Sequence, residues 1–441
     1  MQTNYTEYQK IMKFLIKLNN KFHLESMRFK RLISGHNLFC SCFLLVKKLF
    51  TLLSGFFIAL IIITIRPLIK VYLVRLNSSR MGHFSLGAEI MLAQFELSPE
   101  KRKGKKLLFY LRLSAANKQL LKMCKRYFYI LPFPRLCFNI DLWLRRILGK
   151  KYENDFVKSF EANEALWDSD GLLKRTKPHL FFTQAELEQG KHIMEKLGLP
   201  PNVKFVCLLV RDHGYMNKEF PGHDYSYHTI RNADVQTYQK AALYLAEKGY
   251  YVLRMGKHVQ YAFETTHPRI IDYANHSLCS DFMDIYLSAH CYFFITTGSG
   301  LDSVACMFRR PKLITNILLP RNLPIWYPGI FFIYKKIWDK NNKKYLTLEN
   351  IMKLGMIDPN IGISQEILDQ HNLELIHNTE DEILDAVRDM EGQLNGTLKE
   401  SEEDKIIHKK FVAILPETVK NQHVFIKISP TFYKNGSVLF E

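Results

Sequence analysis

Short apolar runs alternate with helix-like apolar periodicity over most of the chain. Such runs are typical of buried parallel strands, and the periodic stretches between them are typical of crossover helices. In the second half, the pattern predicts helices at 235–248, 281–289 and 301–308 and strands at 205–210, 250–254, 270–273, 292–295 and 312–315. We therefore expect an α/β fold with a doubly wound, Rossmann-like parallel sheet in this half.

The first half repeats this alternation less regularly. Strands are predicted at 71–75, 106–113 and 127–131, and helices at 84–95 and 115–125, whereas 135–182 is mixed and mostly helical in pattern. Thr183 and Glu186 have capping-box spacing, so a helix is expected from there to a Gly-Leu-Pro-Pro stop at 198–201. The pattern predicts a Rossmann-like domain over 69–198 and a second over 199–441 that ends in a helical tail.

Residues 1–68 precede both domains and are basic and hydrophobic. Residues 49–65 carry no charge over 17 positions and are bracketed by Lys47, Lys48 and Arg66. That length is at the lower limit for a membrane-spanning helix. A spanning helix, a monotopic anchor and a buried core helix all fit the pattern. We expect a membrane-associated segment that leaves the domains on the cytoplasmic face of the membrane.

The charge balance points to an anionic partner. The formal net charge is +18, and residues 101–126 contain ten Lys or Arg and no acid. An ordinary solvated surface and a patch that faces an anionic membrane both fit this segment. Nucleic acid is not expected as a partner, because no zinc-finger spacing, RNP-like segment or helix-turn-helix pattern accompanies the charge.

Cysteine usage indicates a reducing compartment. The eight cysteines lie mostly in apolar runs and form no CxxC pair, so buried free thiols are expected and a structural zinc site is not. We expect neither a bound metal nor a cofactor.

A small-residue turn lies between an apolar strand and a helix. It comprises Thr296, Thr297, Gly298, Ser299 and Gly300. Glycines let backbone N–H groups approach a phosphate, and a following helix N-terminus adds partial positive charge. A plain strand-to-helix turn is the alternative. The turn lacks the Gly-Lys-Ser/Thr of a Walker A loop, and GxGxxG follows no predicted strand, which disfavours P-loop and dinucleotide-binding proteins.

Cationic residues follow two other predicted strands. Arg211 comes at the end of the 205–210 strand, and Arg254, Gly256 and Lys257 come at the end of the next. An arginine at such a position binds a diphosphate in a bidentate manner. An ion pair between Arg211 and Asp212 is the structural alternative. Since carboxyl ends of parallel strands meet at one edge, these residues are expected to converge with the turn.

Six segments occur in an order that resembles a bacterial family of GT-B-type glycosyltransferases. They are VCLLVRDHGYM at 206–216, YSYHTIRNADVQTY at 225–238, GYYVLRMG at 249–256, IDYA at 271–274, SDFMDIYL at 280–287 and FITTGSGL at 294–301. RMGHF at 80–84 is similar to that family's RxGH element. The resemblance covers about residues 71–441. A more distant likeness to GDP-fucose-dependent fucosyltransferases depends only on a strand-ending Val-Arg and a later Ser/Thr-rich turn.

The resemblance implies two Rossmann-like domains facing a cleft and a nucleotide-sugar donor. It assigns the donor diphosphate to Arg211, Arg254, Gly256 and the 296–300 turn. Asp281 and Asp284 are candidates for ribose or base, although Asp281 fits equally well as a first-turn helix acid. The family motifs also include Arg80, Gly82, Arg231 and Asn232.

His83 is the candidate general base for the acceptor hydroxyl, with a structural histidine as the alternative. No DxD motif stands at a strand end, so a metal-independent enzyme is expected.

The sequence thus predicts a membrane-associated glycosyltransferase that transfers a sugar to a glycan or lipid-linked acceptor in surface polysaccharide or lipopolysaccharide synthesis. A noncatalytic, membrane-tethered module that binds nucleotide sugars or other phospho-ligands is the alternative. A basic membrane-bound nucleic-acid binder is a third hypothesis, which would require salt-dependent binding through residues 101–126.

Overall fold

The computed structural model describes residues 38–152, 168, 170–219, 226–318, 329–354, 363–414 and 426–434. Residues 38–72 and 132–152 form one compact unit. Residues 73–131, together with the described residues from 168 onward, form a second. The basic N-terminal stretch before residue 38 lies outside the described residues.

The helices and strands follow the predicted alternation and are labelled in chain order. The helices are α1 Leu38–Ile65, α2 Met81–Leu97, α3 Lys118–Cys124, α4 Pro134–Leu148, α5 Leu172–Arg175, α6 Gln184–Lys196, α7 Gly214–Glu219, α8 Gln239–Glu247, α9 Asp281–His290, α10 Asp302–Met307, α11 Leu348–Lys353, α12 Gln365–Gln370, α13 Glu380–Asn395, α14 Glu402–Ile414 and α15 Pro430–Lys434. The strands are β1 Lys70–Leu76, β2 Lys105–Leu111, β3 Phe205–Leu209, β4 Tyr251–Arg254, β5 Ile270–Ile271, β6 Phe293–Thr296, β7 Lys312–Ile317, β8 Ile330–Tyr334, β9 Lys336–Asp339, β10 Lys344–Tyr345, β11 Leu373–Ile376 and β12 Lys427–Ile428.

A seven-stranded sheet organises the larger unit. Its order is β12-β8-β7-β6-β3-β4-β5, and neighbouring strands are parallel throughout. The chain winds from β3 through β4 to β5 in one direction and from β6 through β7 to β8 in the other. This confirms the predicted α/β class and doubly wound parallel sheet. The winding direction reverses between β3 and β6, which is the position where ligands bind in open sheets of this kind.

The central strand β3 is buried because both of its faces are covered. Val206, Leu208 and Val210 pack into one hydrophobic cluster, whereas Phe205, Cys207 and Leu209 pack into the other. Side chains alternate between the two faces of a strand, so a continuous apolar run is required where helices cover both sides. The carboxyl end of β3 is therefore held rigidly.

Residues 73–131 add a smaller layer to this unit. β1 and β2 form a two-stranded sheet, and the strand predicted at 127–131 is reduced to one parallel bridge between Phe109 and Ile130. α2 is buried over most of its surface between Gly82 and Ala93 and contacts α10. The proposed division into domains 69–198 and 199–441 stays a prediction.

Helix termini were predicted most accurately where capping signals are strong. The Thr183 and Glu186 capping box is present in full at the start of α6, and Ser280 caps α9 through the Met283 N–H. α13 has a second complete capping box, formed by Thr379 and Glu382. These local hydrogen bonds satisfy N–H groups that a helix start leaves without partners.

The smaller unit contains the apolar helix α1 and the helix α4. Among the described residues, one segment is long and apolar enough to cross a membrane, Val46–Ile65, and only 11% of it is buried. This low burial disfavours the core-helix alternative. α4 packs against α1, and this contact accounts for part of the stretch at 135–182 that the sequence pattern left unresolved.

Candidate functional site

The candidate site lies at the edge where β3 and β6 end. These strands pair in parallel with Leu209 opposite Thr296, so Arg211 and the 296–300 turn emerge side by side. The Arg211 N–H donates to Thr297 Oγ1 (2.9 Å), and the Thr297 N–H donates to the Leu209 carbonyl (3.2 Å). The predicted convergence of Arg211 with the turn is therefore present at the reversal point of the sheet.

The turn is held closed by its own hydroxyl and carboxylate groups. Gly298 has a φ of +80°, a left-handed conformation that favours glycine. Its N–H donates to Thr296 Oγ1 (3.0 Å), and the Ser299 N–H donates to Asp302 Oδ2 (3.0 Å). Two N–H groups predicted to cradle a phosphate are thus already bonded within the protein.

Asp302 is the residue that sequence reasoning missed here. Besides the Ser299 N–H, its carboxylate accepts a hydrogen bond from the Thr296 hydroxyl (2.9 Å) and lies 3.5 Å from the buried Lys312 ammonium. A carboxylate in the first turn of a helix already interacts with the partial positive charge there. The Asp-Ser pair after TTGSGL was the available signal, because an acid in the first helical turn is a common capping arrangement.

The 230–232 segment brings a second arginine to the turn. Arg231 Nη2 donates to the Gly298 carbonyl (2.8 Å). The segment is supported by Lys335, whose ammonium donates to the carbonyls of Ile230 and Asn232 (2.7 Å each). Burial lowers the pKa of Lys335 to about 8. Arg231, whose role the sequence left open, therefore contacts the turn, and Lys335 supports the segment that carries it. A role for Asn232 at the site stays a prediction.

The RxGH element contacts the turn directly. A Cβ built on Gly82 would lie 3.1 Å from the Ser303 Oγ and 3.6 Å from the Gly300 Cα. One built on Gly300 would lie 3.1 Å from the Met81 Cβ and 3.2 Å from the Gly82 N. A side chain at either position would therefore require neighbouring atoms to shift by a few tenths of an ångström. The start of α2 and the 296–300 turn thus form one site from two distant parts of the sequence.

His83 lies in the first turn of α2. The helix predicted at 84–95 left His83 in the preceding loop, but the helix begins at Met81, so this detail was wrong. Burial lowers the pKa of His83, and the positive charges of Arg80 and Arg112 lower it further. A neutral imidazole is the form that accepts a proton. Its role as a base stays a prediction.

Arg254 has different surroundings from Arg211. Its side chain is fully buried, 3.2 Å from Asp272 Oδ1 and 3.7 Å from Asp212 Oδ2. Asp212 also accepts the N–H groups of Gly214 (2.8 Å) and Gln260 (2.9 Å). Arg254, at the end of β4, therefore links the segments that follow β3 and β5. Its predicted contact with a donor stays untested.

Gly256 and Lys257 lie beside this ion-pair cluster. Gly256 has a φ of +151°, and a Cβ there would lie 2.5 Å from Val259 Cγ1. Lys257 is exposed, and its ammonium lies 3.6 Å from Asp281 Oδ1. Gly256 is therefore required for the backbone conformation of this loop, and Lys257 lies next to the carboxylate of Asp281.

Asp281 and Asp284 have different environments on α9. Asp281 Oδ2 accepts the Lys118 N–H at the start of α3 (2.8 Å), and its carbonyl accepts from the Asn117 amide (2.8 Å). Asp284 is buried, accepts a hydrogen bond from the Tyr273 hydroxyl (3.2 Å) and has its pKa raised to about 7 by burial. Asp281 links two helix starts, and contacts of either carboxylate with ribose or base stay a prediction.

The described cysteines are free thiols, and the exposure of the basic segment at 101–126 fits both of its interpretations. Among the cysteines whose surroundings are described, Cys279 is partly exposed and five are buried as free thiols. The described ranges contain no group of three or more His, Cys, Asp or Glu side chains in a metal-binding arrangement. Most Lys and Arg side chains at 101–126 are exposed, and Lys122 and Arg126 pair with Glu186 at 3.0 Å and 2.6 Å.

Comparison with known proteins gives structural neighbours only. No protein-family model matches the chain, and no curated protein matches it in sequence. The structure is similar to a family 9 glycosyltransferase from Veillonella parvula (12% identity, 60% of this chain and 86% of that chain covered, TM-score 0.39). It is also similar to the E. coli ADP-heptose LPS heptosyltransferase II (14%, 74% and 99%, 0.38) and to a UDP-N-acetylglucosamine 2-epimerase (11%, 76% and 98%, 0.29).

These neighbours include glycosyltransferases, the class of enzyme to which the ordered sequence motifs pointed. At such low identities and TM-scores, the similarities do not identify the donor, the acceptor or the reaction of this chain. The distant likeness to fucosyltransferases stays a prediction.

Proposed function

We propose that the chain is a membrane-associated glycosyltransferase that uses a nucleotide-sugar donor. The observation that carries the proposal is the meeting of Arg211, the 296–300 turn and the start of α2 where the sheet reverses direction. Ligands of doubly wound sheets bind at this position. The acceptor is a glycan or lipid-linked sugar of surface polysaccharide or lipopolysaccharide synthesis, and the enzyme works at the cytoplasmic face of the membrane.

The donor diphosphate lies beside Arg211 and the start of α2. A planar guanidinium matches a diphosphate in a bidentate contact, and the N-terminal end of a long helix carries partial positive charge. Asp302 already accepts the Ser299 N–H inside the turn. The turn therefore acts by positioning Arg211, whose backbone N–H is bonded to Thr297. Positive charge at the leaving diphosphate stabilises the transition state without a metal ion.

His83 is the proposed base. His83 follows Met81 by two residues, and the Met81 side chain lies next to Gly300 of the turn. The pKa of His83 is lowered from its ordinary value. Deprotonating an acceptor hydroxyl as the donor bond breaks contributes about 10² to 10⁴ in rate. His83→Ala should therefore lower turnover by about that factor and leave donor affinity nearly unchanged, whereas the exposed His192→Ala should keep full turnover.

The pH dependence follows from the lowered pKa. The base must be neutral, so kcat/KM should fall as pH falls through the folded-state pKa, below the ordinary 6.5 of histidine. The same group binds more protons unfolded than folded, so its contribution to stability is lost over the same acidic range.

The test is turnover of a panel of labelled nucleotide sugars by the full-length protein with bacterial lipid-linked acceptors. Sugar transfer that His83→Ala abolishes supports the proposal. Tight donor binding without transfer to any acceptor would instead favour the noncatalytic binding module. Near-wild-type turnover in His83→Ala would remove this residue as the base.

A further inference from the structure

Helix α4 packs against the middle of the apolar helix α1. The Trp143 indole N–H donates to the Leu52 carbonyl (3.2 Å), and the Trp143 ring makes an edge contact with Phe56 (5.1 Å between centroids). A Cβ built on Gly55 would lie only 2.7 Å from the Asn139 Cβ. The two helices therefore touch at a point where only glycine fits.

The buried face of α1 is the face that α4 covers. Between Val46 and Ile65, Gly55 and Ala59 are buried, and they lie four residues apart on one side of the helix. Small residues at this spacing let two helices approach closely. On the rest of α1, large apolar side chains remain exposed, including Phe50, Phe57 and Ile61.

Helix α4 carries many charges for a neighbour of such an apolar helix. Arg135 and Arg146 are exposed, and Lys150 and Lys151 follow exposed in the next turn. Asp141 is buried and pairs with Arg145 at 3.1 Å. The exposed apolar residues Phe138 and Ile147 lie on the same helix, so α4 is amphipathic in the way of helices that lie at membrane surfaces.

These charges conflict with a spanning α1. The 17 uncharged residues at 49–65 extend only about 26 Å at about 1.5 Å per residue, just short of a hydrocarbon core of about 30 Å. A spanning helix of that length must be centred near residue 57, so Gly55 and Phe56 would lie near the middle of the bilayer. Asn139 of α4 meets Gly55 there, and the charged residues Arg135, Asp141 and Arg145 lie within two turns of Asn139. A spanning α1 would therefore draw charged side chains of α4 toward the hydrocarbon, where they are costly to bury.

We propose that α1 and α4 bind together to one leaflet of an anionic bilayer and that α1 does not cross it. Their exposed apolar side chains enter the acyl region, while Lys47, Lys48, Arg146, Lys150 and Lys151 face anionic headgroups. Charge complementarity thus selects a membrane as the partner of this surface. The inference deepens the membrane association in the proposed function and is independent of sugar transfer. The N-terminus and the residues after α1 then stay on one side.

The topology test uses the full-length chain in bacterial membranes with an epitope tag at either end. Protease is added to intact spheroplasts and, separately, to lysed ones. We expect a membrane-bound protein whose two tags are both protected in intact spheroplasts and both digested after lysis. Digestion of one tag in intact spheroplasts would show a spanning helix and overturn the inference. A protein found entirely in the soluble fraction would overturn it too, while leaving the sugar-transfer proposal standing.

A flotation experiment tests the charge component. The purified protein is mixed with phosphatidylglycerol–phosphatidylethanolamine vesicles or with phosphatidylcholine vesicles. Arg146→Gln with Lys150→Gln should weaken binding to the anionic vesicles by about fivefold for each charge removed. The matched pair Lys191→Gln with Lys196→Gln, two exposed lysines on α6, should bind as the unaltered protein does. Equal binding to both vesicle types, or equal losses in both variants, would contradict the inference.

Discussion

Arg211 and Arg254 follow neighbouring strands of one parallel sheet, yet they have different surroundings. Arg254 is fully buried between Asp272 and Asp212, whereas Arg211 is half-buried and its backbone N–H is bonded to Thr297 at the reversal point. Both were assigned to the donor diphosphate by their position at a strand end. Their difference shows that this position alone does not define a ligand contact.

The carboxylates of Asp212 and Asp272 distinguish the surroundings of Arg254 from those of Arg211. Asp212 lies next to Arg211 in sequence, but it pairs with Arg254 across the strands and accepts the Gly214 and Gln260 N–H groups. A buried guanidinium with two carboxylate neighbours has its charge compensated within the protein. Arg211 is the better candidate for an external anion because it lies at the reversal point, where ligands of doubly wound sheets bind.

The largest effect is expected from Arg254→Ala, and it should fall on stability. Removing a buried guanidinium leaves Asp212 and Asp272 without their main positive partner, which costs about 3 kcal/mol of unfolding free energy. Chemical denaturation monitored by circular dichroism measures this loss. The control is Arg388→Ala, which removes an exposed ion pair with Asp385 and should cost less than about 1 kcal/mol. If the Arg254→Ala protein were as stable as that control, Arg254 would not stabilise the fold through its two carboxylate partners.

Arg211→Ala should separate affinity from stability. We expect nucleotide-sugar binding to weaken by about tenfold or more, because a charged contact in a cleft contributes about 2 kcal/mol or more. Unfolding should change little, and Arg211→Lys should restore binding only in part, since lysine lacks the planar fork. Isothermal titration with each nucleotide sugar checks this. Unchanged affinity in a folded Arg211→Ala protein would break the contrast with Arg254.

Asp302→Asn should produce the smallest effect of the three. The substitution keeps the shape of the side chain but removes the charge that faces the buried Lys312 at 3.5 Å. We expect a loss of about 1 kcal/mol in unfolding free energy, near the lower end of the cost of a buried polar group that loses its partner. The substitution Asp385→Asn, at an exposed ion pair, serves as the control. A stability equal to that of this control would mean that Asp302 does not hold the turn closed.

The sequence was informative wherever a signal is local. The capping residues Thr183 and Glu186 marked the start of α6 correctly, since their hydrogen bonds join residues three positions apart. The buried runs of β3 and β6 gave the parallel sheet, and the turn after β6 was recognised by its glycines. Arg211 was correctly expected beside this turn because strand ends meet at one edge of a parallel sheet.

Interactions between distant segments were not predictable from the pattern. Asp281 meets the start of α3 through Lys118, 163 residues away, and Lys335 supports the segment that carries Arg231. No periodicity encodes such pairs. The approach of Gly82 to Gly300 was equally hidden, although both glycines had been singled out separately. The α1–α4 contact was not predicted, because the charged residues of α4 interrupt the apolar pattern from which its buried face would be recognised.

Hydrogen exchange in the presence of a bound nucleotide sugar tests the central claim most directly. The full-length protein in detergent is exchanged with and without the nucleotide sugar that it binds best, and peptide masses report which backbone amides become protected. We predict protection at residues 81–84, 211–214 and 297–301, because the ligand covers the reversal point between β3 and β6. At the same ligand concentration, Arg211→Ala should show weaker protection of these residues. Protection confined to the loop after β4 at 255–260, or to a site away from this edge of the sheet, would contradict the account.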